Sequence, residues 1–287
     1  MSYWAVVVAR NAAPHLSRTL DSLLGQTEKP RRITVVDDGS TDETGKILDD
    51  YEARFSIITT ITKPNRGYDI RRVPLNINLA WERNSAQGLE TDYFMISGDD
   101  CFYPNGYVAS LASRMSLNPQ LMVASGRPVT GGSFGREHSP SGSGRMIRCA
   151  FWREIGGSYP PKAGWEAWLL FKAEQKGREV RLFEDLTFEH VRPRGATHQF
   201  VYWGAAMGTL GYNPLYAMGR LAKNAVKRSV SLTGSVSMLR GYLQSKVGSA
   251  DAFITPFDPQ LRDFVRREQS CKIARIAASL VRFESVW

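Results

Sequence analysis

The strongest constraint on this chain is the alternation of short β-branched runs with helix-period segments over its first hundred residues. Tyr3–Ala9, Ile33–Val36, Phe55–Ile61 and Tyr93–Ile96 read as strands. Between them, Pro14–Leu24 places Leu16, Leu20, Leu23 and Leu24 on one helix face, and Asn78–Leu89 reads as a further helix. Ser40 and Glu43 match the capping-box pattern that opens a helix. Strands alternating with helices predict an α/β fold, with a mainly parallel central sheet flanked by helices.

Two of these strands end in carboxylates. Asp37 and Asp38 follow Ile33–Val36, and Asp99 and Asp100 follow Tyr93–Ile96. In an open parallel sheet, ligands bind beyond the carboxyl ends of the strands. Two acidic strand ends on one rim predict a site. Adjacent carboxylates suit a hard divalent ion such as Mg²⁺ or Mn²⁺, which shares its shell with substrate phosphates. A carboxylate also accepts from the N–H and O–H groups of a base or ribose. The competing reading is that Asp-Asp-Gly-Ser is a turn followed by a helix cap.

Charge and composition narrow the class. The net charge of +9 implies an anionic partner. From 191 to 250 there is no Asp or Glu, whereas Arg192, Arg194, Arg220, Lys223, Lys227, Arg228, Arg240 and Lys246 all fall there. The three cysteines, Cys101, Cys149 and Cys271, lack metal-type spacing and fit a reducing compartment. The apolar start of the chain is too brief for a signal peptide and reads as a strand. No helix-turn-helix, zinc or RNA-binding signature accompanies the basic stretch, so nucleic acid is not an expected partner.

The ordered set of motifs resembles the family 2 glycosyltransferases, inverting enzymes of the GT-A (nucleotide-diphospho-sugar transferase) fold. The likeness runs from Tyr3 to His190. It rests on V-V-V-A-R-N in the first strand, V-V-D-D-G-S-T-D-E-T, the Arg83-Asn84 pair before Gly88, and the acidic motif after the fourth strand. The resemblance implies a nucleotide-diphosphate sugar donor, with Ala9, Asn11, Asp38, Arg71, Arg83, Gly98 and Asp99 at its binding site. Asp38 would recognise the nucleobase. Asp99 would hold a divalent ion, Mg²⁺ or Mn²⁺, with His190 as a further ligand. Ser97 stands where the family usually has a first Asp. Counting back from Gly177, Glu166 falls on the family's catalytic Asp, with Trp165 before it in place of a Glu. Glu166 would then take the proton of the acceptor hydroxyl. Arg192 and Arg194 are candidates to neutralise the leaving diphosphate, or else begin the basic face that follows.

The expected organisation is a catalytic domain over 1–195, with a nucleotide-sugar half (1–100) and an acceptor half (101–195). A basic, aromatic-rich helical extension follows over 196–287. The Gly- and Ser-rich segment from Gly126 to Gly144 reads as a loop. In the extension, Gly204, Gly208, Gly211 and Asn213-Pro214 read as breaks in an uncharged, aromatic stretch. Such breaks argue against a membrane span. Residues 200–248 are therefore expected to lie on a membrane surface, or to pack against the transferase domain or a twin subunit in a homodimer. A glycan or polyprenyl-linked acceptor, and a place in the cytoplasm at the inner face of the cell membrane, follow from the membrane reading. Two other readings stand beside it: a non-catalytic, membrane-associated scaffold that binds nucleotide sugar, and a nucleotidyltransferase with a related sheet. Against the latter, the loop after the first strand, Ala9 to Ala13, has no glycine.

Overall fold

A computed structural model describes residues 1–129, 139–192, 197–226, 230–247 and 250–284. In chain order the elements are β1 (Tyr3–Ala9), α1 (Leu16–Leu24), β2 (Ile33–Asp37), α2 (Thr44–Arg54), β3 (Ile58–Thr62), α3 (Val73–Ala86), β4 (Tyr93–Gly98), β5 (Cys101–Phe102), α4 (Tyr107–Leu117), β6 (Leu121–Pro128), β7 (Arg145–Arg148), α5 (Cys149–Glu154), α6 (Trp165–Gln175), β8 (Glu179–His190), α7 (Thr197–Thr209), α8 (Pro214–Val226), α9 (Leu232–Val247) and α10 (Pro259–Glu284). They form two compact units. The first comprises Met1–Pro160 with Lys176–Arg194, and the second Pro161–Gln175 with Gly195–Trp287. Helix α6, which carries Glu166, thus groups with the C-terminal helices.

The first unit is built on one sheet of order β3-β2-β1-β4-β7-β6-β8-β5. Strands β3, β2, β1 and β4 are parallel neighbours, and β6 pairs parallel with β8. The β4–β7, β6–β7 and β5–β8 pairs are antiparallel. The sheet is therefore mixed, and its first half is the parallel part the sequence predicts. Strands β6 and β7 carry no sequence expectation, because they fall where the periodicity loosens. Gly126–Pro128, expected in a loop, finishes β6, where a Cβ on Gly126 would collide with the Leu186 carbonyl of β8. The rest of that expected loop lies largely outside the described residues.

Strand β1 is buried on both faces, as a central parallel strand must be. Tyr3, Ala5, Val7 and Ala9 join the core that holds Leu16, Leu20 and Leu23 of α1. On the other face Trp4 packs with Trp81 and Phe94, which in turn meet Trp152. Each such aromatic pair contributes about 1 kcal/mol beyond area burial.

The expected capping box does not form. Helix α2 begins at Thr44, and Glu43 at its N-cap makes no side-chain cap bond. Asp42 accepts from the Thr44 N–H at 3.0 Å instead. Ser40 is drawn away because Asp37 offers a carboxylate: its hydroxyl donates to Asp37 Oδ1 at 2.6 Å.

In the second unit the glycines of α7 are contacts rather than breaks. Cβ atoms at Gly204, Gly208 and Gly241 would collide with Met238, Ser245 and Val201, so α7 and α9 meet backbone to backbone. The chain breaks later, at Gly211 (φ +75°), before Pro214 opens α8. Helix α6 is fixed within this unit, with Phe171 edge-on to Tyr212 and Ala163 accepting from the Thr209 hydroxyl at 2.7 Å. In α10 the buried residues lie near its start, at Leu261 and Val265, while Ile276 is exposed. Among the described residues, no helix is long and apolar enough to cross a membrane.

Candidate active site

Parallel register sets the site. Ala9 of β1 lies opposite Asp37 of β2, and Val8 opposite Gly98 of β4. The residues that follow these three strands, Arg10, Asp38 and Asp99, therefore share one rim. Their polar groups interlock. The Arg10 N–H donates to Asp99 Oδ2 at 3.2 Å. Its guanidinium donates to the carbonyls of Asp38 and Gly39 (2.8 Å for Gly39) and to Asn65 Oδ1 at 2.8 Å. Asn11 holds a left-handed backbone (φ +48°). Its N–H donates to Ser40 Oγ at 2.9 Å, and its side chain accepts from Thr41 N–H at 2.8 Å. The loops after β1 and β2 are thus tied to each other.

Asp38 is buried beneath two cationic partners. Arg72 donates from Nε at 2.9 and 3.1 Å and reaches the carboxylate again from Nη2 at 2.8 Å. Lys63 Nζ stands 3.6 Å away. Burial works against the charge, yet the hydrogen bonds from Arg72 and the charges of Arg72 and Lys63 hold the Asp38 carboxyl below its ordinary value.

The acidic pair after β4 divides its work. Asp99 pairs with the Arg192 guanidinium and accepts from Arg10, and burial pushes its carboxyl up against the pull of Arg192. Asp100 faces His190, Oδ1 to Nε2 at 3.3 Å. Its Oδ2 accepts from the Arg192 N–H at 3.0 Å. Burial opposes the charge of Asp100 too, but His190 and Arg192 hold its carboxyl below the ordinary value. The β5–β8 pairing causes this, because it sets Cys101 directly opposite His190 and so folds the end of β8 onto the β4 rim. Asp100, Cys101 and His190 present donor atoms within 4.8 Å of one another, and burial pushes the Cys101 thiol up to about 12.

The residues expected from the sequence distribute as follows. Ala9, Asn11, Asp38, Gly98, Asp99 and His190 come together in the first unit's rim, with His190 against Asp100 rather than against Asp99. Arg71 pairs with Asp69 at 2.8 Å, and its neighbour Arg72 is the residue that grips Asp38. Arg83 is not brought to the rim. It lies in the last turn of α3, where the adjacent Asn84 bonds with Thr34 and Arg32 at the start of β2, the opposite end of the sheet. Ser97 turns its hydroxyl to Tyr103 OH at 2.9 Å and to the Gly98 carbonyl. Glu166 is exposed in the first turn of α6, in the second unit. Arg194 lies outside the described residues. Sequence reasoning placed Asp100 at an acidic strand end without giving it a role, and gave no role to Arg10 or Cys101. Arg10 had a usable signal, since it follows β1 at the position that Asp38 and Asp99 hold after their own strands.

Residues 4–177 match the model of the family described as "Glycosyl transferase family 2". The chain belongs to that family. Three solved structures are similar in fold. Staphylococcus aureus TarS 1-349, in complex with UDP-GlcNAc, shares 15% identity over 84% of this chain and 79% of that one, with a TM-score of 0.56. The mannosyltransferase PcManGT of Pyrobaculum calidifontis, in complex with GDP-Man and Mn²⁺, shares 16% identity over 99% and 79%, with a TM-score of 0.55. GalNAc-T7, with UDP, GalNAc and Mn²⁺, shares 15% identity over 84% and 53%, with a TM-score of 0.58. No match emerges among curated proteins. The fold is the GT-A fold, and the family is one of glycosyltransferases.

Proposed function

We propose that this family 2 member transfers a sugar from a nucleotide-diphosphate sugar to a glycan or lipid-linked acceptor, with inversion at the anomeric carbon. One observation carries the reading: Arg10, Asp38 and Asp99 follow three adjacent parallel strands, with Asp100, His190 and Arg192 folded onto the same rim. The Asp38–Arg72 pair supplies the nucleobase end of such a site, because it offers an acceptor and a planar donor side by side. Arg192 places guanidinium charge beside Asp99, where a diphosphate would develop negative charge as it leaves.

The residues present fit a divalent ion. Asp99, Asp100 and His190 provide two carboxylates and an imidazole, a donor set suited to Mn²⁺ as well as Mg²⁺. Gly98 keeps their space open, since a Cβ there would stand 3.0 Å from Asp100 Oδ1. Such an ion, when bound, neutralises the donor's diphosphate. The protein's own part in the transfer is a proton movement. The acceptor oxygen bonds to the anomeric carbon, its proton passes to the Glu166 carboxylate, and the bond to the diphosphate breaks with its electron pair on the leaving oxygen. Attack opposite the leaving group inverts the centre.

The second unit supports an acceptor held at a membrane surface. Leu232, Val236 and Leu243 are exposed along one stripe of α9, with Leu215 and Met218 exposed on α8. An apolar groove of about 1070 Å³ is lined by Val201, Tyr202, Ala205, Val236, Leu239 and Leu243. The groove is edged by Arg240 and Asp251, and the stretch from 191 to 250 that supplies most of it carries lysine and arginine without acids, which suits an anionic membrane face.

The anomeric configuration of the transferred sugar, read by proton NMR, tests the mechanism. Inversion, with turnover lost in Glu166→Gln, is the expected result. Retention of configuration would rule it out. Flotation with phosphatidylglycerol vesicles tests the membrane face, and failure to float would remove that part alone.

A further inference from the structure

We infer that Lys246, Arg262 and Arg266, where α9 meets α10, form a binding site for a phosphate group. The three residues lie within the second unit and share none of the roles assigned above to donor, metal ion or proton transfer. The inference therefore stands whether or not that reaction is correct. Helical spacing sets the cluster. Tyr242 and Lys246 are one turn apart on α9, and Arg262 and Arg266 one turn apart on α10, so each helix presents two neighbours on one face. The Lys246 ammonium stands 5.3 Å from the centre of the Tyr242 ring. The charge of Arg266 acts on Tyr242 and Lys246 alike, so the two faces lie beside each other.

The protein does not balance these charges. Among the described residues, no carboxylate pairs with Lys246 or Arg262. Asp263 stands 3.8 Å from Arg266 Nη1 on the same helix, and it is exposed. Asp258, just before α10, is taken by the Leu261 N–H at 2.9 Å and by Lys172 Nζ at 3.5 Å. Partial burial, and then the charges of Arg262 and Arg266, push the Lys246 ammonium below its ordinary value. A bound anion relieves that repulsion.

A merely solvated face would leave each cation free to swing into water. Arg262 is not free to do so. A Cβ at Gly211 would stand 2.7 Å from Arg262 Cβ and 3.0 Å from its Cγ, so the arginine stem lies on the backbone of the turn before α8. Its Nε is buried and has no hydrogen-bond partner. Buried donors without acceptors are rare in native proteins and call for an explanation such as a ligand or water. Arg262 as a whole is half-buried, and Lys246 and Arg266 are open to solvent, so an anion at the surface can reach all three. Guanidinium forks and a mobile ammonium together match the oxygens of a phosphate. Two sources carry that group, an anionic lipid headgroup and a phosphorylated solute.

Acetylation of lysines by acetic anhydride in the full-length protein, read by mass spectrometry, tests this. Inorganic phosphate is expected to slow modification of Lys246 about tenfold relative to chloride of equal ionic strength. The bound anion covers the ammonium and raises it back toward its ordinary value. Exposed Lys46 is expected to react at an unchanged rate. Arg262→Gln and Arg266→Gln are each expected to abolish the protection. Arg266 is exposed, so its variant decides the matter even if Arg262→Gln does not fold. Dihexanoyl phosphatidylglycerol, a soluble lipid, distinguishes the sources. Protection at a lower concentration than inorganic phosphate needs assigns the site to a lipid headgroup, and protection at an equal or higher one assigns it to a solute. No protection by either compound beyond that of chloride, or protection undiminished in both arginine variants, would overturn the inference.

Discussion

The rim of the first unit and the helical packing of the second use small residues and polar residues in opposite ways. At the rim, short polar side chains tie loop to loop: Asn11 to Ser40 and Thr41, Ser40 to Asp37, and Arg10 to the carbonyls after β2. The backbone there is held by side-chain hydrogen bonds, and the charged groups have fixed partners before any ligand arrives. In the second unit, glycines let α7 and α9 meet at backbone distance, and stability comes from close packing. The first arrangement pre-organises charge. The second makes an interface whose sequence looks like a series of interruptions. A change at the rim should therefore alter chemistry whatever it does to stability, and a change at the helix contact should alter stability with little effect on chemistry.

That comparison can be broken in order of effect. Asp99→Ala should lower donor turnover by about a thousandfold while the melting temperature stays close to wild type, measured by nucleoside diphosphate release and calorimetry. Glu166→Gln should lower kcat by about 10²- to 10⁴-fold with KM for the donor little changed. A fall in donor affinity instead would make Glu166 a binding residue. Gly241→Leu, at the backbone contact with Val201, should destabilise the second unit by about 2 kcal/mol or more in chemical denaturation. If it does not, the α7–α9 contact is looser than described.

Arg72→Met should cost about 2 kcal/mol, because it leaves the buried Asp38 carboxylate without its main donor. The sign with pH is defined. Asp38 is depressed in the folded state, so its stabilisation is present above the ordinary carboxylate value of about 3.9 and is lost as pH falls through the lowered folded value. Wild type should lose stability in acid over that range, and Arg72→Met should show a flatter acid limb. Ser40→Ala, which removes the hydroxyl's bond to Asp37 and the bond it accepts from the Asn11 N–H, should cost about 1 to 2 kcal/mol.

Much of the parallel half of the sheet was legible because its strands are β-branched runs buried on both faces. Their carboxylates stand at the ends, where parallel register alone puts them on one rim. His190 was named from the resemblance, but its partner was not, since Asp100 and Cys101 meet it only through a β5–β8 pairing of two residues that no periodicity reveals. Arg72 and Arg71 are adjacent, and the choice between them depends on which guanidinium Asp69 captures. Ser40 looked like a cap because its spacing to Glu43 fits one, and the nearby Asp37 carboxylate won the competition. Gly204 and Gly208 looked like breaks because a sequence does not say which residue of another helix will lie against them. In each case the missing information was a contact between segments distant in the chain or a contest between neighbouring hydrogen bonds.

The most direct test of the rim as a donor site is nucleoside diphosphate release from a panel of UDP-, GDP- and TDP-sugars with Mn²⁺, comparing wild type with Asp99→Ala. The account predicts that one donor turns over with the wild-type protein and that Asp99→Ala, though folded, fails to consume it. Equal turnover by both proteins, or no consumption of any donor by the wild type, would contradict it.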